Sequence, residues 1–253
     1  MDANHAWRVQ CAEPESRSSS PSGDLIPLVV VGDVHGDLPG LVRALGRFAP
    51  PAWRTIVLGD VVDGGDFGVG ALRWIRDRPN TELVIGNHEV MILAALEEYP
   101  GRGPTTAFWQ GMGGQLHDLR ELAGDPGLQA WLRMRPALIR IAPDTLLQHC
   151  DSDSLLRFVG EEARDAVALI NEQVHRLLDE RDYQPLWDAM TERGVFERQP
   201  MRLEAWLRRT GSRRVVHGHT PMRGPMPRVY AAGRAVGYDG GRGRTIAAPL
   251  PLD

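Results

Sequence analysis

The chain reads first as three short apolar runs separated by amphipathic stretches. Ile26–Val31, Thr55–Leu58 and Glu82–Ile85 are rich in Val, Ile and Leu. Each closes on Gly followed by Asp or Asn: Gly32-Asp33, Gly59-Asp60 and Gly86-Asn87. The interval from Asp33 to Asp60 equals that from Asp60 to Asn87, 27 residues. Leu38–Phe48 and Phe67–Arg76, between the runs, read as helices. A strand, a helix and a second strand need about 30 residues, so the interval predicts two successive βαβ units on a parallel sheet. Strands covered on both faces run continuously apolar, as these do, instead of alternating. A solenoid also keeps a fixed period, but this one stops after two intervals.

Beyond residue 137 the periodicity changes. Val159, Ala163, Val167, Ile170, Val174 and Leu178 recur at three- and four-residue spacing, with Glu161, Glu162, Arg164, Glu172 and Arg176 between them. This predicts an amphipathic helix over about 159–181. Met201–Arg209 reads as a shorter one. Strand character returns at Ala137–Ile141, Thr145–Gln148, Arg213–Val216 and Arg228–Tyr238, with Pro143-Asp144 turning the first two into a hairpin. Residues 1–24, rich in Ser, Pro and charge, predict a disordered tail. The remainder, 25–253, reads as one α/β domain with a helical insertion at about 151–210.

Composition removes several classes of function. The 253 residues carry 29 basic side chains, all arginine, and a net charge of −4. Without lysine there is no Schiff-base chemistry and no P-loop ending in Gly-Lys-Ser/Thr. The acidic balance gives no global basic field for nucleic acid. Cys11 and Cys150 are too few and too far apart for a disulfide scaffold or a thiolate zinc module. Leu25–Val31 is too short to span a bilayer. A reduced, cytoplasmic protein without a membrane segment is the expectation.

The candidate chemistry lies at the carboxyl ends of the expected strands, where open α/β sheets bind ligands. Asp33, His35, Asp60, Asn87, His149 and His219 all fall there and offer oxygen and nitrogen donors. An Asp between two groups of ligands can bridge two cations, and ions about 3.5–4 Å apart suit phosphoester hydrolysis. His217 reads as a neighbour of a ligand rather than as one. His5, His117 and His175 read as structural, and Cys150 as a small buried filler. Trp53, Trp74, Trp109, Trp131, Trp187 and Trp206 read as core or helix-packing residues.

Taken together, Gly32-Asp33-Val34-His35-Gly36, Gly59-Asp60-Val61-Val62-Asp63, Gly86-Asn87-His88-Glu89, His149 and Gly218-His219-Thr220 resemble a known family. It is the phosphoprotein phosphatase branch of the calcineurin-like metallophosphoesterases. Small bacterial and phage serine/threonine phosphatases and symmetrical diadenosine tetraphosphatases belong to that branch. Trp109 with Gly113-Gly114, and Tyr238-Asp239-Gly240, resemble secondary features of bacterial members. The resemblance runs over about residues 26–240 and implies a β-sandwich flanked by helices. It implies that Asp33 and His35 hold a first metal, that Asp60 bridges, and that Asn87, His149 and His219 hold a second. It also implies that His88 is the general acid, oriented by Asp63. Two divalent ions are expected, Mn²⁺ ahead of Fe or Zn²⁺, in keeping with N/O ligands.

Two departures bear on substrate. The family pattern continues Asp-Arg-Gly, and that Arg grips phosphate; here the chain has Asp63-Gly64-Gly65. After the fifth ligand the family has His-Ala-Gly or His-Gly-Gly; here it is His149-Cys150-Asp151. With no lysine available, the replacement donor is expected to be an arginine, from Arg157, Arg202 or Arg242, or a neutral group; the alternative is that the open space at Gly64 admits a bulkier substrate, a nucleotide or diester. The leading expectation is hydrolysis of a phosphomonoester, on a phosphoprotein or a small metabolite, by a metal-activated water. A nucleotide or dinucleotide polyphosphate hydrolase is the second reading, and a non-catalytic metal-binding interaction module the third.

Overall fold

The computed structural model describes residues 26–141, 144–160, 165–224 and 226–250. The expected tail, residues 1–24, lies outside them. The first sheet holds β1 (Leu28–Val31), β2 (Arg54–Val57), β3 (Thr81–Leu83) and, at the far end of the chain, β9 (Ala247–Leu250). Its order is β3-β2-β1-β9, with β1, β2 and β3 parallel and β9 antiparallel to β1. The second sheet holds β4 (Leu138–Ile141), β5 (Thr145–Gln148), β6 (Arg214–His217), β7 (Arg228–Tyr230) and β8 (Ala235–Gly237). Its order is β4-β5-β6-β8-β7, with β5, β6 and β8 parallel. The two βαβ units and the β4–β5 hairpin are therefore present.

The two sheets pack face to face. Leu28, Val30, Ile56 and Val84 from the first meet Ile139, Leu147, Val216 and Val236 from the second in one buried cluster. Alternate residues of the same strands, such as Val29, Val31, Val57, Leu146 and Val215, join a larger cluster with the helices. This is the period-2 consequence of a strand buried on both faces. Each such side chain contributes roughly 1.5–3 kcal/mol when fully buried.

The helices of the first half are α1 (Leu38–Leu45), α2 (Gly68–Asp77), α3 (Asn87–Leu96), α4 (Pro104–Gly111), α5 (Leu116–Ala123) and α6 (Pro126–Arg133). Those of the second half are α7 (Ala166–Asp179), α8 (Gln184–Met190), α9 (Val195–Arg198) and α10 (Pro200–Thr210), all between β5 and β6. The helix expected over 159–181 starts later. Asp165 caps α7 by accepting from the Ala168 amide, and Ser154–Phe158 forms a separate 3₁₀ turn. The strand expected over Arg228–Tyr238 is a hairpin instead, because Ala231 and Ala232 adopt positive φ and turn the chain. No described helix is long and apolar enough to cross a membrane.

Candidate metal centre

Parallel strands deliver their carboxyl ends to one edge, and both sheets do so here. Asp33 and His35 follow β1, Asp60 and Asp63 follow β2, and Asn87 and His88 open α3 directly after β3. His149 follows β5, His219 follows β6 and Asp239 follows β8. All but His35 are essentially buried. The chain spends conformational energy here: His35, Asp60, Asp63 and His219 all have φ between 48° and 67°. Non-glycine residues in that left-handed region cost on the order of 1–3 kcal/mol each and persist only where surroundings over-determine them.

Those surroundings are visible. The amides of Val34 and His35 both donate to the Asp60 carbonyl, at 3.0 and 2.8 Å. Glu89, one turn into α3, is fully buried and accepts from four backbone amides. They are Gly86 at 2.9 Å, Asp60 at 2.8 Å, Val61 at 2.7 Å and Val62 at 3.3 Å. Gly59 has φ 94°, and a Cβ there would stand 2.8 Å from Gly86 and 2.9 Å from His149 Nδ1. Only glycine lets these strand ends approach so closely. Glu89→Gln turns one acceptor into an NH₂ facing a donor, so it is expected to cost about 1–3 kcal/mol of stability. For a chain of this size that is roughly 2–4 °C of Tm per kcal/mol, read by calorimetry on metal-free protein. An unchanged Tm would mean that Glu89 does not hold this loop.

Asp60 is the centre of the arrangement. His149 Nε2 lies 3.2 Å from its Oδ1, and His88 Nε2 and His219 Nδ1 each lie 3.9 Å from its Oδ2. Among the described residues, His35–Asp60–His88 and Asp60–His149–His219 each bring donor atoms within 4.8 Å of one another. Asn87 Oδ1 is 2.9 Å from His149 Nε2, and Asp33 Oδ2 is 3.7 Å from His35 Nε2. Three buried atoms among these, His35 Nδ1, Asp60 Oδ2 and His219 Nδ1, have no hydrogen-bond partner. Buried polar atoms without partners are rare, so each calls for an occupant.

The electrostatics agree with that need. Burial raises Asp33 well above the usual carboxylate range, and the nearby Asp239 and Asp60 add to it. Burial would raise Asp60 too, but His149 and His88 outweigh it and hold that carboxyl well below its ordinary value. Burial lowers His35 and His219 to about 4, leaving neutral rings with a free lone pair, whereas Asp60 carries His149 up to about 9 against its burial. Crowded carboxylates and imidazoles, nitrogen and oxygen donors without thiolate, are the donor set of a divalent cation. The residues present therefore fit two such ions sharing Asp60.

His88 is set apart by a carboxylate partner outside the donor groups. Its Nδ1 lies 2.7 Å from Asp63 Oδ2, and Trp109 Nε1 donates to the other oxygen of Asp63 at 2.8 Å. Burial lowers His88, yet Asp60 and Asp63 together carry it up to about 9. Trp109 is fully buried, as expected of a core residue, but its indole N–H also donates to Asp63. His217 is not in either donor group; its Nε2 meets the Tyr230 hydroxyl at 2.8 Å and its Nδ1 the Gly218 carbonyl at 2.9 Å. Cys150 is buried, and burial pushes its thiol up to about 12.

The cleft over these atoms has a volume near 310 Å³ and is lined by His35, His88, His219, Arg193 and Arg242, among others. Of the three arginines expected there, Arg242 lines it. Arg157 donates to the Ser154 carbonyl of its own turn, and Arg202 pairs with Asp153 and with Glu192. Neither lines the cleft. Arg193 was not expected: its Nε lies 3.2 Å from His219 Nε2. Nothing in its local sequence marks it, because the loop between α8 and α9 reaches the site only through the fold. Glu89 had a signal, its place beside Asn87-His88, but no role that spacing alone could give.

Comparison with known proteins agrees with the geometry. The family model described as calcineurin-like phosphoesterase matches residues 26–223. A symmetrical bis(5'-nucleosyl)-tetraphosphatase of Haemophilus ducreyi is 28% identical over 114 residues, 44% of this chain and 39% of that protein. Serine/threonine-protein phosphatase 2 of Salmonella typhimurium is 36% identical over 91 residues, 35% of this chain and 39% of that protein. The match thus spans about two fifths of the length of each of these relatives. A cold-active protein-tyrosine phosphatase from a psychrophilic Shewanella superposes with a TM-score of 0.62 at 18% identity, over 85% of this chain and 71% of that one. A serine/threonine phosphatase of Saccharomyces cerevisiae gives 0.58 at 16% identity, over 84% and 66%. These two show the fold.

Proposed function

Because the chain belongs to the calcineurin-like phosphoesterase family, we propose that it is a dimetal phosphatase hydrolysing a phosphomonoester. The observation that carries this reading is Asp60, common to the His35–Asp60–His88 and Asp60–His149–His219 groups, with His88 also held by Asp63. Asp33, His35 and Asp60 would hold one cation, and Asp60, Asn87, His149 and His219 the other. Bound divalent cations, Mn²⁺ foremost, supply Lewis-acid charge and an activated water.

The chain's own groups do the rest. Asp63 accepts from His88 Nδ1, so Nε2 is the atom left to carry the transferable proton. As the water oxygen bonds to phosphorus and the ester P–O bond breaks, the leaving oxygen takes that proton. Arg193 lines the same cleft with its Nε 3.2 Å from His219 Nε2, so its guanidinium stands where it can meet the phosphoryl oxygens. Arg242 approaches from the other side, and its Nε lies 3.9 Å from where a side chain at Gly64 would begin. That nearness supports Arg242 as the stand-in for the arginine that the family pattern carries at position 64. This favours a phosphate clamp over an opening for a bulkier group.

Arg242→Ala removes a charge-assisted hydrogen bond, so kcat/KM for an aryl phosphate is expected to fall about 10–100-fold. Gly64→Arg in that background is expected to restore part of the loss. Restoration stays partial because φ at Gly64 is 89°, which strains any side chain. No recovery together with no loss in Arg242→Ala would place both positions outside the phosphate pocket.

The names of the Haemophilus ducreyi and Methylococcus capsulatus relatives, the latter 34% identical over 116 residues, support dinucleotide polyphosphate hydrolysis as the second reading. An aryl phosphate, a phosphopeptide and diadenosine tetraphosphate, compared by kcat/KM with Mn²⁺, separate the two. The first reading expects both monoesters to be preferred. Preference for the dinucleotide overturns it. The paired His88 and Asp63 weigh against a non-catalytic module, which has no chemical need for a leaving-group acid.

A further inference from the structure

Asp151, after Cys150, has several partners at the end of β5. Asp151 is fully buried two residues beyond His149. Its Oδ1 accepts from the Gly194 amide at 2.8 Å and from the Thr220 hydroxyl at 2.6 Å. Its carbonyl accepts from the Phe196 amide at 3.2 Å. The Gly194 amide also points at Thr220 Oγ1, at 3.4 Å. One residue thus fastens three chain segments: the end of β5, the loop before α9, and the loop that carries His219. The fastened glycine is the immediate neighbour of Arg193, whose own side chain reaches the cleft. Nearby, Arg202 ties Asp153 to Glu192 and braces the same loop from behind.

We infer that Asp151 is a positioning residue that sets Arg193 over the metal centre, so the segment between β5 and β6 takes part in substrate binding through it. This inference rests on the phosphatase reading of the site. The physical reason for a carboxylate is its acceptor capacity. A buried backbone amide and the Thr220 hydroxyl converge on one carboxylate oxygen, which has the lone pairs to accept both. Glycine or alanine at 151 would offer neither bond. The guanidinium would then be displaced from its place against His219 without any change in the ligands themselves. Small displacements of a clamp are costly, because misplacement by about 1 Å can lower rates by roughly a hundredfold.

The test uses the full chain, an aryl phosphate with Mn²⁺, and tryptic digestion. Trypsin can cut this lysine-free protein only after arginine, so cleavage after Arg193 and Arg198 reports how firmly the loop is docked, independently of activity. Asp151→Ala is expected to lower kcat/KM about 10–100-fold, mainly through KM, because a clamp on the phosphoryl group binds substrate and transition state alike. Metal content should stay unchanged, and metal-free Asp151→Ala should be cut faster after Arg193 and Arg198. Asp151→Asn keeps an oxygen acceptor and should recover most of the loss. In an Arg193→Ala background, Asp151→Ala should cost nothing further, because the group it positions is gone. The inference is overturned by a loss that is undiminished in that background, by a fall in bound metal that accounts for the loss, or by unchanged tryptic cleavage. A wild-type protein inactive on every phosphoester tested would instead overturn the phosphatase reading, and the digestion would still decide whether Asp151 docks the loop.

Discussion

Asp60→Asn is expected to lower phosphoester hydrolysis by at least about two to three orders of magnitude, since Lewis-acid stabilisation is worth several kcal/mol and each ~1.4 kcal/mol is tenfold. The substitution is nearly isosteric. Its amide oxygen can still accept from the His88 backbone amide, which lies 3.0 Å from Oδ1 in the native site. What disappears is one charge, and that charge faces His149, His88 and His219 together. A carboxylate serving one cation would cost one ion when neutralised. Asp60, common to both donor groups, should weaken both. Bound metal per chain, measured after gel filtration at limiting Mn²⁺, should therefore fall toward zero rather than by half. Loss of a single ion would remove Asp60 from the bridging position.

His88→Asn should lower kcat about 10²–10⁴-fold, the usual contribution of a positioned general acid. Metal content should not change, because Asp63, itself held by Trp109, anchors the ring through Nδ1, and Asp33, His35 and Asp60 are the groups proposed to hold the first ion. The loss should depend on the leaving group. A dinitrophenyl phosphate releases an oxygen that needs little protonation and should lose least. An alkyl phosphate should lose most. Asp63→Asn should follow the same pattern at smaller size, since the ring remains but its tautomer is no longer fixed. Equal losses for good and poor leaving groups would deny His88 the acid role.

Much of this site was legible in the chain because strand ends are legible. Asp33, Asp60 and Asn87 each follow Gly at the end of an apolar run, and three parallel strands must deliver those ends to the same edge. His149 and His219 follow β5 and β6 for the same reason in the second sheet. What escaped has two physical sources. Local signals were weak for β9, four residues long with Pro249 on an edge strand, where proline costs no ladder bond. They were also weak where Ala231 and Ala232 turn what reads as one strand into a hairpin. The second source is contact made only in three dimensions. Arg193 and Asp151 lie 42 positions apart and are linked through the amide of the neighbouring Gly194. Arg202 reads like a free cation in sequence and proves to be consumed by Asp153 and Glu192. Trp109 reads as core, and is, yet its indole N–H also serves Asp63 from 46 positions away.

The most direct test of the dimetal phosphatase reading is a titration of chelator-treated protein with Mn²⁺, following bound ions per chain and aryl phosphate hydrolysis in the same samples. The expected result is negligible activity without metal and a rise that is complete only when two ions are bound per chain. Full activity at one ion per chain, or two bound ions with no hydrolysis of any phosphoester, would contradict it.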